Sequence, residues 1–233
     1  MAAVFFSSEV ISNKKLNYKF NLIKLKVLDK EKFIFEPGQF TVIKIGPSLF
    51  RSYSFASHPS KLPSWEILAD ITPAGPGSKF LESLKTGQIV QHSSAKGIFS
   101  LDGDRVGINV MAATGCGLAS MIPMIEELLK NSRNKILLFW GLREEKDLCL
   151  LDWLNAKTKN PNFSYQLVLS KPSALWKGIT GHLVEPLVKF VGSVPAKKLY
   201  TYLCGNKSMI IDAQEALEKI NFAKERIYYE RYN

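Results

Sequence analysis

The spacing of hydrophobic and polar positions changes once along the chain. From residue 4 to about residue 102, short apolar runs with β-prone residues are separated by turn residues. In this half only residues 78–84 have the spacing of a helix. Several short strands at close spacing predict an antiparallel barrel or sandwich. The predicted strands are residues 18–27, 39–45, 65–71 and 88–92.

After residue 102, strand-like apolar runs alternate with longer amphipathic runs. Such alternation predicts a parallel sheet covered by helices. We therefore predict two domains: an N-terminal antiparallel β-barrel over residues 1–102 and a C-terminal Rossmann-like α/β domain over residues 103–233. Residues 101–107, rich in Asp and Gly, are the predicted linker. The predicted strands are 106–112, 135–140, 165–169 and 198–204, and the predicted helices are 121–129, 148–157, 182–190 and 208–220.

The composition is that of a folded protein. Of 233 residues, 46% are hydrophobic and 22% charged, which is enough apolar material to fill real cores. No run approaches the roughly 18 consecutive apolar residues of a membrane helix. The first ten residues also lack the basic start and apolar centre of a signal peptide. We therefore expect a cytoplasmic protein without membrane insertion.

The cysteines, histidines and charges narrow the function further. The three cysteines and three histidines show no metal-ligand spacing, which argues against zinc, a bound iron–sulfur cluster and a hydrolytic metalloenzyme. The net charge is +10, but the basic residues are dispersed, so we predict no nucleic-acid binding. Phosphate ligands and acidic partners suit such a charge. The six residues are Cys116, Cys149, Cys204, His58, His92 and His182.

An arginine, an aromatic residue and hydroxyls alternate in the segment FRSYSFAS, residues 50–57. Alternation along a strand puts Arg51 and Tyr53 on one face. A guanidinium pairs bidentately with a pyrophosphate, and a tyrosine ring offers a stacking surface to a flat cofactor. The alternative is a strand edge with an exposed arginine and a packed tyrosine.

A second segment, PAGPGS at residues 73–78, leads directly into the predicted helix. Glycine permits close backbone approach, and the positive end of a helix dipole attracts anions. Ser78 either caps the helix or donates to a phosphate. An ordinary capped turn is the alternative reading.

Two further segments follow predicted strands of the second half. TGCG at 114–117 has the form of a phosphate-binding turn, although it is not GxGxxG and tight turns also need glycine for structure. In YLCGNKSM, residues 202–209, Cys204 stands at the carboxyl end of a strand, where open α/β sheets bind ligands. No local histidine activates this thiol, so a cysteine hydrolase is disfavoured. A buried small thiol is the plainer alternative.

Taken in order, RxYS, GxxS, TGxGLAx, CGNxxM and the aromatic–acidic tail resemble the bacterial form of the ferredoxin–NADP reductase superfamily, over nearly the whole chain. The resemblance implies a flavin-binding barrel, a nicotinamide-binding sheet domain and a flavin lying between them. It implies an NAD(P)H-dependent flavoprotein oxidoreductase that uses FAD rather than FMN. Electrons from the hydride would pass to ferredoxin, flavodoxin or another redox protein.

In the first half, the resemblance implies that the segment Arg51–Ser52–Tyr53–Ser54 binds the flavin. Within it, Arg51 would bind the flavin pyrophosphate. Tyr53 would pack against the flavin, and Ser54 would hydrogen-bond near its reactive nitrogen. Serine rather than threonine at position 54 is more similar to ferredoxin or oxygenase reductases than to cytochrome b5 reductases. The flavin phosphates would be held by Gly75, Gly77 and Ser78.

In the second half, the resemblance implies that Cys204 and Gly205 flank the nicotinamide. Glu230 resembles the acidic residue of the family's C-terminus, and Tyr232 or Tyr229 would cover the flavin. The catalytic assignments are thus Ser54, Cys204 and Glu230. Ser120 departs from the family's usual proline. The pyrophosphate of the dinucleotide would lie on Thr114, Gly115, Cys116 and Gly117.

The choice of dinucleotide and the acceptor leave alternatives open. Ser170 and Lys171 end a predicted strand where the adenosine 2′ position would lie, and a cation there favours NADPH over NADH. An exposed surface lysine is the alternative. One alternative is the reductase subunit of an oxygenase or other multi-component redox complex. Another is a non-catalytic nucleotide-sensing module. The intact Arg51, Tyr53 and Ser54 argue against the sensing module.

Overall fold

The computed structural model describes residues 5–29, 32–101, 106–195 and 197–232. They form two compact units. The first contains the described residues up to Leu101 together with 119–124, and the second contains those of 106–118 and from 125 onward. Positions 102–105 of the predicted linker lie outside the described residues. In the described ranges, no helix is both long and apolar enough to cross a bilayer.

The first unit is a six-stranded antiparallel sheet in the order β4-β3-β6-β1-β2-β5, which confirms the predicted all-β N-terminal half. The first strand was not predicted as a separate element. A register shift between Val10 and Ser12 interrupts its alternation, which hides the period from the sequence. The elements are β1 Phe5–Lys15, β2 Phe20–Val27, β3 Phe40–Lys44, β4 Phe50–Ser54, β5 Ser64–Asp70, helix α1 Pro76–Ser83 and β6 Ile89–Ser93.

Aromatic rings fill the interior of this unit. Phe35 and Phe55 stack with ring centroids 4.0 Å apart, and Trp65 meets Phe55 edge-on at 5.3 Å. Alternate residues of the strands supply the remaining core, as a sheet with one buried face requires. The result is a core in which His92 is completely enclosed.

His92 is bound by hydroxyls and a carbonyl. The Trp65 indole donates to Ser8 Oγ at 3.1 Å, and Ser8 Oγ lies 2.8 Å from His92 Nε2. His92 Nδ1 lies 3.0 Å from the Ser93 carbonyl oxygen. Because a carbonyl only accepts, Nδ1 carries the proton and Nε2 accepts from Ser8. Burial lowers the pKa of His92 to about 4, so the ring is neutral at physiological pH.

The second unit is a six-stranded sheet in the order β10-β9-β8-β7-β11-β12, with every pair parallel. This confirms the predicted α/β domain. The last strand was not predicted, because its pairing with β11 is not local in sequence. The elements are β7 Ile108–Thr114, α2 Leu118–Leu128, β8 Lys135–Leu142, α3 Leu151–Lys157, β9 Phe163–Leu169, β10 Ile179–Thr180, α4 Val184–Ser193, β11 Leu199–Asn206, α5 Lys207–Lys219 and β12 Ile227–Tyr232.

The strand order of this sheet reverses at one place. From β7 the chain moves outward through β8, β9 and β10, and then returns to the other side of β7 with β11 and β12. Helices α4 and α5 cover one face through Leu187, Ile210 and Leu217. The carboxyl ends of β7 and β11 therefore meet at the point where open α/β sheets bind ligands.

Candidate functional site

In the first unit, Arg51, Tyr53 and Gly77 lie together. Arg51 and Tyr53 are on β4, the edge strand of the sheet, and Gly77 is in the first turn of α1. A Cβ atom on Gly77 would stand 2.5 Å from the Tyr53 hydroxyl and 3.2 Å from Arg51 Cγ. The missing side chain at Gly77 therefore lets both residues of β4 lie against the start of the helix.

The start of α1 has the character of an anion site. Gly75 is its N-cap and supplies no side-chain cap, and Pro76 has no amide proton. The first helical hydrogen bond runs from the Lys79 amide to the Gly75 carbonyl at 3.0 Å, so the amides of Gly77 and Ser78 precede it. The exposed Arg51 guanidinium donates to the Phe50 carbonyl at 2.8 Å. A cation and a helix N-terminus thus share one place.

The two serines of β4 alternate with Arg51 and Tyr53 along the strand. Ser52 is exposed, whereas Ser54 is buried at the end of the strand, with 6% of its surface exposed. Ser54 pairs in register with Phe40 of β3. The structure thus separates the two serines by burial and places Ser54 at the inner end of the segment.

In the second unit, the turn after β7 is fixed by its surroundings. Thr114 ends β7, residues 115–117 form a 3₁₀ turn, and Gly115 has φ +53°, a conformation that favours glycine. The indole of the buried Trp140 donates to the Gly115 carbonyl at 3.0 Å. Sequence reasoning missed Trp140, because nothing local marks it as a partner of the turn. Its hydrogen bond holds this carbonyl oxygen in one direction.

This turn contacts the carboxyl end of β11. A Cβ atom on Gly117 would overlap the Cys204 carbonyl oxygen, and one on Gly205 would overlap the Thr114 hydroxyl. Gly205 has φ +150°, which also favours glycine. Cys204 itself is completely buried. The structure therefore brings together the predicted residues of the two strand ends.

Asn206 ends β11, links it to the turn after β7, and was not predicted as a site residue. Its backbone N and its Nδ2 donate to Thr114 Oγ1 at 3.1 and 3.4 Å. Its Oδ1 accepts from the Met209 amide at 2.8 Å and from Ser208 Oγ at 2.9 Å. An asparagine directly before a helix is a recognised N-cap signal, so the capping half of this role was visible in the sequence.

The strand β12 lies beside β11 and sets the position of the C-terminal residues. In the parallel register, Glu230 pairs with Cys204 and Tyr232 pairs with Asn206. Tyr229 is 40% exposed, and the Arg231 guanidinium lies 5.4 Å from the centre of its ring. Glu230 and Tyr232 are thus adjacent to the carboxyl end of β11.

Ser170 and Lys171 follow β9 and are both exposed. Their amides donate to the carbonyls of Leu142 at 3.1 Å and Arg143 at 2.8 Å. Arg143 therefore stands beside Lys171 as a second cation, with its Nε 3.6 Å from Glu144 Oε1. Sequence reasoning missed Arg143, because its proximity depends on the pairing of β8 with β9.

A pocket of about 480 Å³ is lined in part by Glu144, the ion-pair partner of Arg143. On its wall, the Glu145 carboxylate accepts hydrogen bonds from Ser173 Oγ at 2.6 Å and from the Ser173 amide at 2.9 Å. The pKa of Glu145 lies below its usual value, mainly because the Ser173 hydroxyl donates a hydrogen bond to its carboxylate. The lining residues are Glu144, Glu145, Lys146, Ser173, Leu175 and Trp176.

All three cysteines are thiols outside any disulfide bond. Cys149 is buried, and burial together with the Asp147 carboxylate raises its pKa to about 12. Cys149 is therefore protonated and unreactive at neutral pH. Cys116 is half-buried within the turn after β7, and Cys204 is buried.

Comparison with known proteins identifies both halves. Residues 6–101 match the oxidoreductase FAD-binding domain family, and residues 111–215 match the oxidoreductase NAD-binding domain family. The chain is 26% identical to the xylene/toluene monooxygenase electron transfer component of Pseudomonas putida, over 99% of this chain and 67% of that protein. It is 23% identical to ferredoxin–NADP reductase B of Sorangium cellulosum, over 98% of each.

A solved structure shows the same fold. The crystal structure of a ferredoxin NADP⁺ reductase from Neisseria gonorrhoeae with bound FAD and NADP superposes with a TM-score of 0.86 at 20% identity, over 97% of this chain and 98% of that one. The order of the two domain families along the chain is the order predicted from the motifs. The chain belongs to the ferredoxin–NADP reductase superfamily and is an NAD(P)H-dependent flavoprotein oxidoreductase.

Proposed function

We propose that this chain is an electron-transfer reductase that takes hydride from NADPH onto FAD and delivers the electrons to a separate ferredoxin or flavodoxin. The observation that carries the proposal is a pair of sites whose geometry suits the binding of phosphate groups. One is the cation and helix start formed by Arg51 and Gly77, and the other is the junction of Thr114 with Gly205. At each place a glycine stands where a Cβ atom would collide with a neighbour.

The residues of the first unit fit FAD, which when bound accepts a hydride and can release its electrons singly. Arg51 would pair with the pyrophosphate, with Ser52 beside it on the strand. The ring of Tyr53 would pack on the flavin, and the buried hydroxyl of Ser54 would hydrogen-bond at its reactive nitrogen. Phosphate oxygens would be held at the helix start by Gly75, Gly77 and Ser78.

The second unit would hold the nicotinamide dinucleotide. Its pyrophosphate would meet the turn formed by Thr114, Gly115, Cys116 and Gly117. Cys204 and Gly205 would flank the nicotinamide, with Glu230 and Tyr232 on the neighbouring strand. These residues orient the ring and keep water away, and hydride transfer requires no general base from them.

Support for NADPH comes from the exposed group Ser170, Lys171 and Arg143. A 2′-phosphate is recognised by cations and hydroxyls, whereas a bare 2′-hydroxyl suits an acidic partner. The two cations stand side by side because of the β8–β9 pairing, and Glu144 takes only one of them as an ion-pair partner. We therefore propose NADPH as the preferred dinucleotide over NADH.

The net charge of +10 supports an acidic acceptor such as ferredoxin or flavodoxin, since opposite charges speed the encounter of two proteins. The second candidate is a reductase component of an oxygenase. It is favoured by the alignment of 99% of the chain with the xylene/toluene monooxygenase component. Both candidates share the NAD(P)H and FAD chemistry and differ in the acceptor.

Steady-state assays with paired dinucleotides and acceptors test this proposal. The purified flavin-loaded chain is assayed with NADPH and with NADH, each against a ferredoxin, a flavodoxin and an oxygenase component. We expect higher kcat/KM with NADPH and a rate with acidic acceptors that falls as salt screens the attraction. Turnover with the oxygenase component alone supports the second candidate. No turnover with any acceptor contradicts both.

We also propose that the chain works in the cytoplasm and that its functional domains divide near residue 102. Three cysteines without a disulfide bond suit a reducing compartment. Cell fractionation with a specific antibody tests the location. Limited proteolysis tests the division, with cleavage between about residues 101 and 107 as the expected result.

A further inference from the structure

We propose that Asn206 is a positioning residue, which directs the hydroxyl proton of Thr114 toward the bound dinucleotide. The proposal rests on the proposed function, since it takes the Thr114 turn as the dinucleotide site. It adds a residue whose role is exerted through Thr114 and not by its own contact with the cofactor. The argument depends on hydrogen-bond directions at the junction of β7 and β11.

The orientation of the Asn206 amide is set by the helix that follows it. The Met209 amide is in the first turn of α5 and needs an acceptor, which Asn206 Oδ1 supplies at 2.8 Å. Ser208 Oγ donates to the same oxygen at 2.9 Å. With Oδ1 committed to α5, the NH₂ group must point the other way, toward Thr114 Oγ1. Reversing the amide would break the cap.

The Thr114 hydroxyl then acts as an acceptor twice. It receives the Asn206 backbone N–H at 3.1 Å and Nδ2–H at 3.4 Å. Within the described parts of the chain, both hydrogen bonds that this hydroxyl makes are ones it accepts. A hydroxyl has two lone pairs and one proton, so two donors leave it with only its proton to offer.

Gly205 is what makes this approach possible. Any side chain there would overlap the Thr114 hydroxyl, and φ +150° is itself a conformation that favours glycine. The Thr114 hydroxyl proton therefore points away from the β11 backbone. It is available for donation to an acceptor oxygen of a ligand. On a nicotinamide dinucleotide such oxygens belong to the pyrophosphate and to the carboxamide. Thr114 is accordingly assigned as a donor that Asn206 orients before the ligand arrives.

Asn206→Asp separates orientation from capping. A carboxylate caps α5 as well as the amide does, so the thermal midpoint should hold. The second carboxylate oxygen replaces the Nδ2 donor with an acceptor, and Thr114 then donates to it. We expect the dissociation constant of oxidised NADP⁺ for the flavin-loaded chain, measured by calorimetry, to rise about tenfold through loss of one hydrogen bond. The KM for NADPH should rise with it while kcat is kept.

A double-mutant cycle with Thr114→Val excludes a simple charge effect. If Asn206 acts through Thr114, Asn206→Asp adds nothing further once the hydroxyl is gone. If the new carboxylate only repels the phosphates, the two losses multiply to about a hundredfold. Asn206→Ser keeps the cap and the backbone donor without adding charge, and should cost about threefold. Multiplied losses would overturn the proposal.

A matched control and the wild type keep this test separate from that of the proposed function. Asn160→Asp changes an asparagine whose Oδ1 accepts from the Asn162 amide at 3.0 Å, before β9 and therefore at the amino-terminal ends of the strands of the same sheet. It should leave NADP⁺ affinity unchanged. A wild type that binds neither NADP⁺ nor NAD⁺ refutes the proposed function. Normal binding that neither Thr114→Val nor Asn206→Asp alters refutes the role of Asn206 alone.

Discussion

The two candidate nucleotide places are built by different means. In the first unit, side chains of an edge strand, Arg51 and Tyr53, lie against a helix start that Gly77 leaves open. In the second, two strand ends meet closely, with Gly117 against the Cys204 carbonyl and Gly205 against the Thr114 hydroxyl. The first place depends mainly on side-chain chemistry and the second on main-chain geometry. The first place should therefore be most sensitive to the loss of a side-chain group, and the second to a side chain added at Gly117 or Gly205.

The largest expected effect is a loss of stability in acid, which should arise in the first unit because His92 lies there. The pKa of His92 is lowered from its ordinary value of 6.5 to about 4 by burial, so between these values the unfolded chain binds more protons than the folded one. Stability is complete above pH 6.5 and is lost as pH falls, by about 3 kcal/mol near pH 4. Urea unfolding from pH 8 to pH 4, followed by Trp fluorescence, measures this loss.

His92→Gln removes this titration, so the loss between pH 6.5 and pH 4 should shrink even if the variant is less stable throughout. The control is His182→Gln, at an exposed position of the second unit, which keeps His92 and should keep the loss. An acid response that His92→Gln leaves intact would show that the first unit is not the acid-sensitive one.

Removal of the Arg51 guanidinium should weaken flavin binding and spare the dinucleotide. A charge-assisted contact to phosphate is worth about 2 kcal/mol, so Arg51→Ala should lower FAD affinity by about 30-fold. Arg51→Lys keeps the charge without the planar fork and should lose less. FAD retention is followed by flavin fluorescence and NADP⁺ binding by calorimetry. Equal loss of both ligands would remove Arg51 from the flavin place.

Cys204→Ala should change the rate of hydride transfer and not the flavin. Cys204 is buried and its carbonyl meets Gly117. Its thiol is expected to pack against the nicotinamide, so its loss loosens the orientation of the ring. Flavin reduction by NADPH should slow about tenfold with FAD fully bound. Cys149→Ala, at the other buried thiol, is the matched control. An unaltered rate would take Cys204 out of the site.

Adding a methyl group at Gly77 should push the Tyr53 hydroxyl away, since the new Cβ would stand 2.5 Å from it. Crowding of this kind costs about 1 kcal/mol at the lower end of its range, and we expect FAD affinity to fall about fivefold. Tyr53→Phe in the same chain removes the clashing oxygen and should restore part of the affinity. If the double variant binds FAD no more tightly than Gly77→Ala alone, the loss of affinity arises at the helix start and not at Tyr53.

The smallest expected effect concerns the dinucleotide. Lys171→Ala should lower kcat/KM for NADPH about threefold to fivefold and leave that for NADH unchanged, because an exposed cation contributes about 1 kcal/mol to a phosphate contact. Arg143→Ala should act in the same direction. Lys159→Ala, at an exposed lysine after α3, serves as the control. Equal losses with both dinucleotides would place the 2′-phosphate elsewhere.

The fold was predictable because hydrophobic periodicity is local. The strands β2, β3, β5 and β6 and the alternation of the second half follow from runs of a few residues. Two strands that were not predicted depend on the register of strand pairing. The bulge in β1 disguised its period, and β12 becomes a strand only by pairing Glu230 with Cys204. No local pattern contains either fact.

The candidate site divides in the same way. Residue types in short segments indicated Arg51, Tyr53 and the TGCG turn, because an arginine, a ring and glycines have chemistry of their own. Trp140, Arg143 and the bonds of Asn206 to Thr114 across 92 positions of sequence were missed, because their roles exist only after the strands are paired. Sequence thus indicated the groups proposed to contact ligands better than those proposed to position them.

Anaerobic stopped-flow mixing of the flavin-loaded chain with NADPH tests the central claim most directly. Flavin absorbance near roughly 450 nm should bleach in a single turnover, with the rate saturating as NADPH rises, because the dinucleotide must bind before it transfers hydride. A chain that takes up FAD and NADPH yet shows no bleaching with either NADPH or NADH would contradict the account.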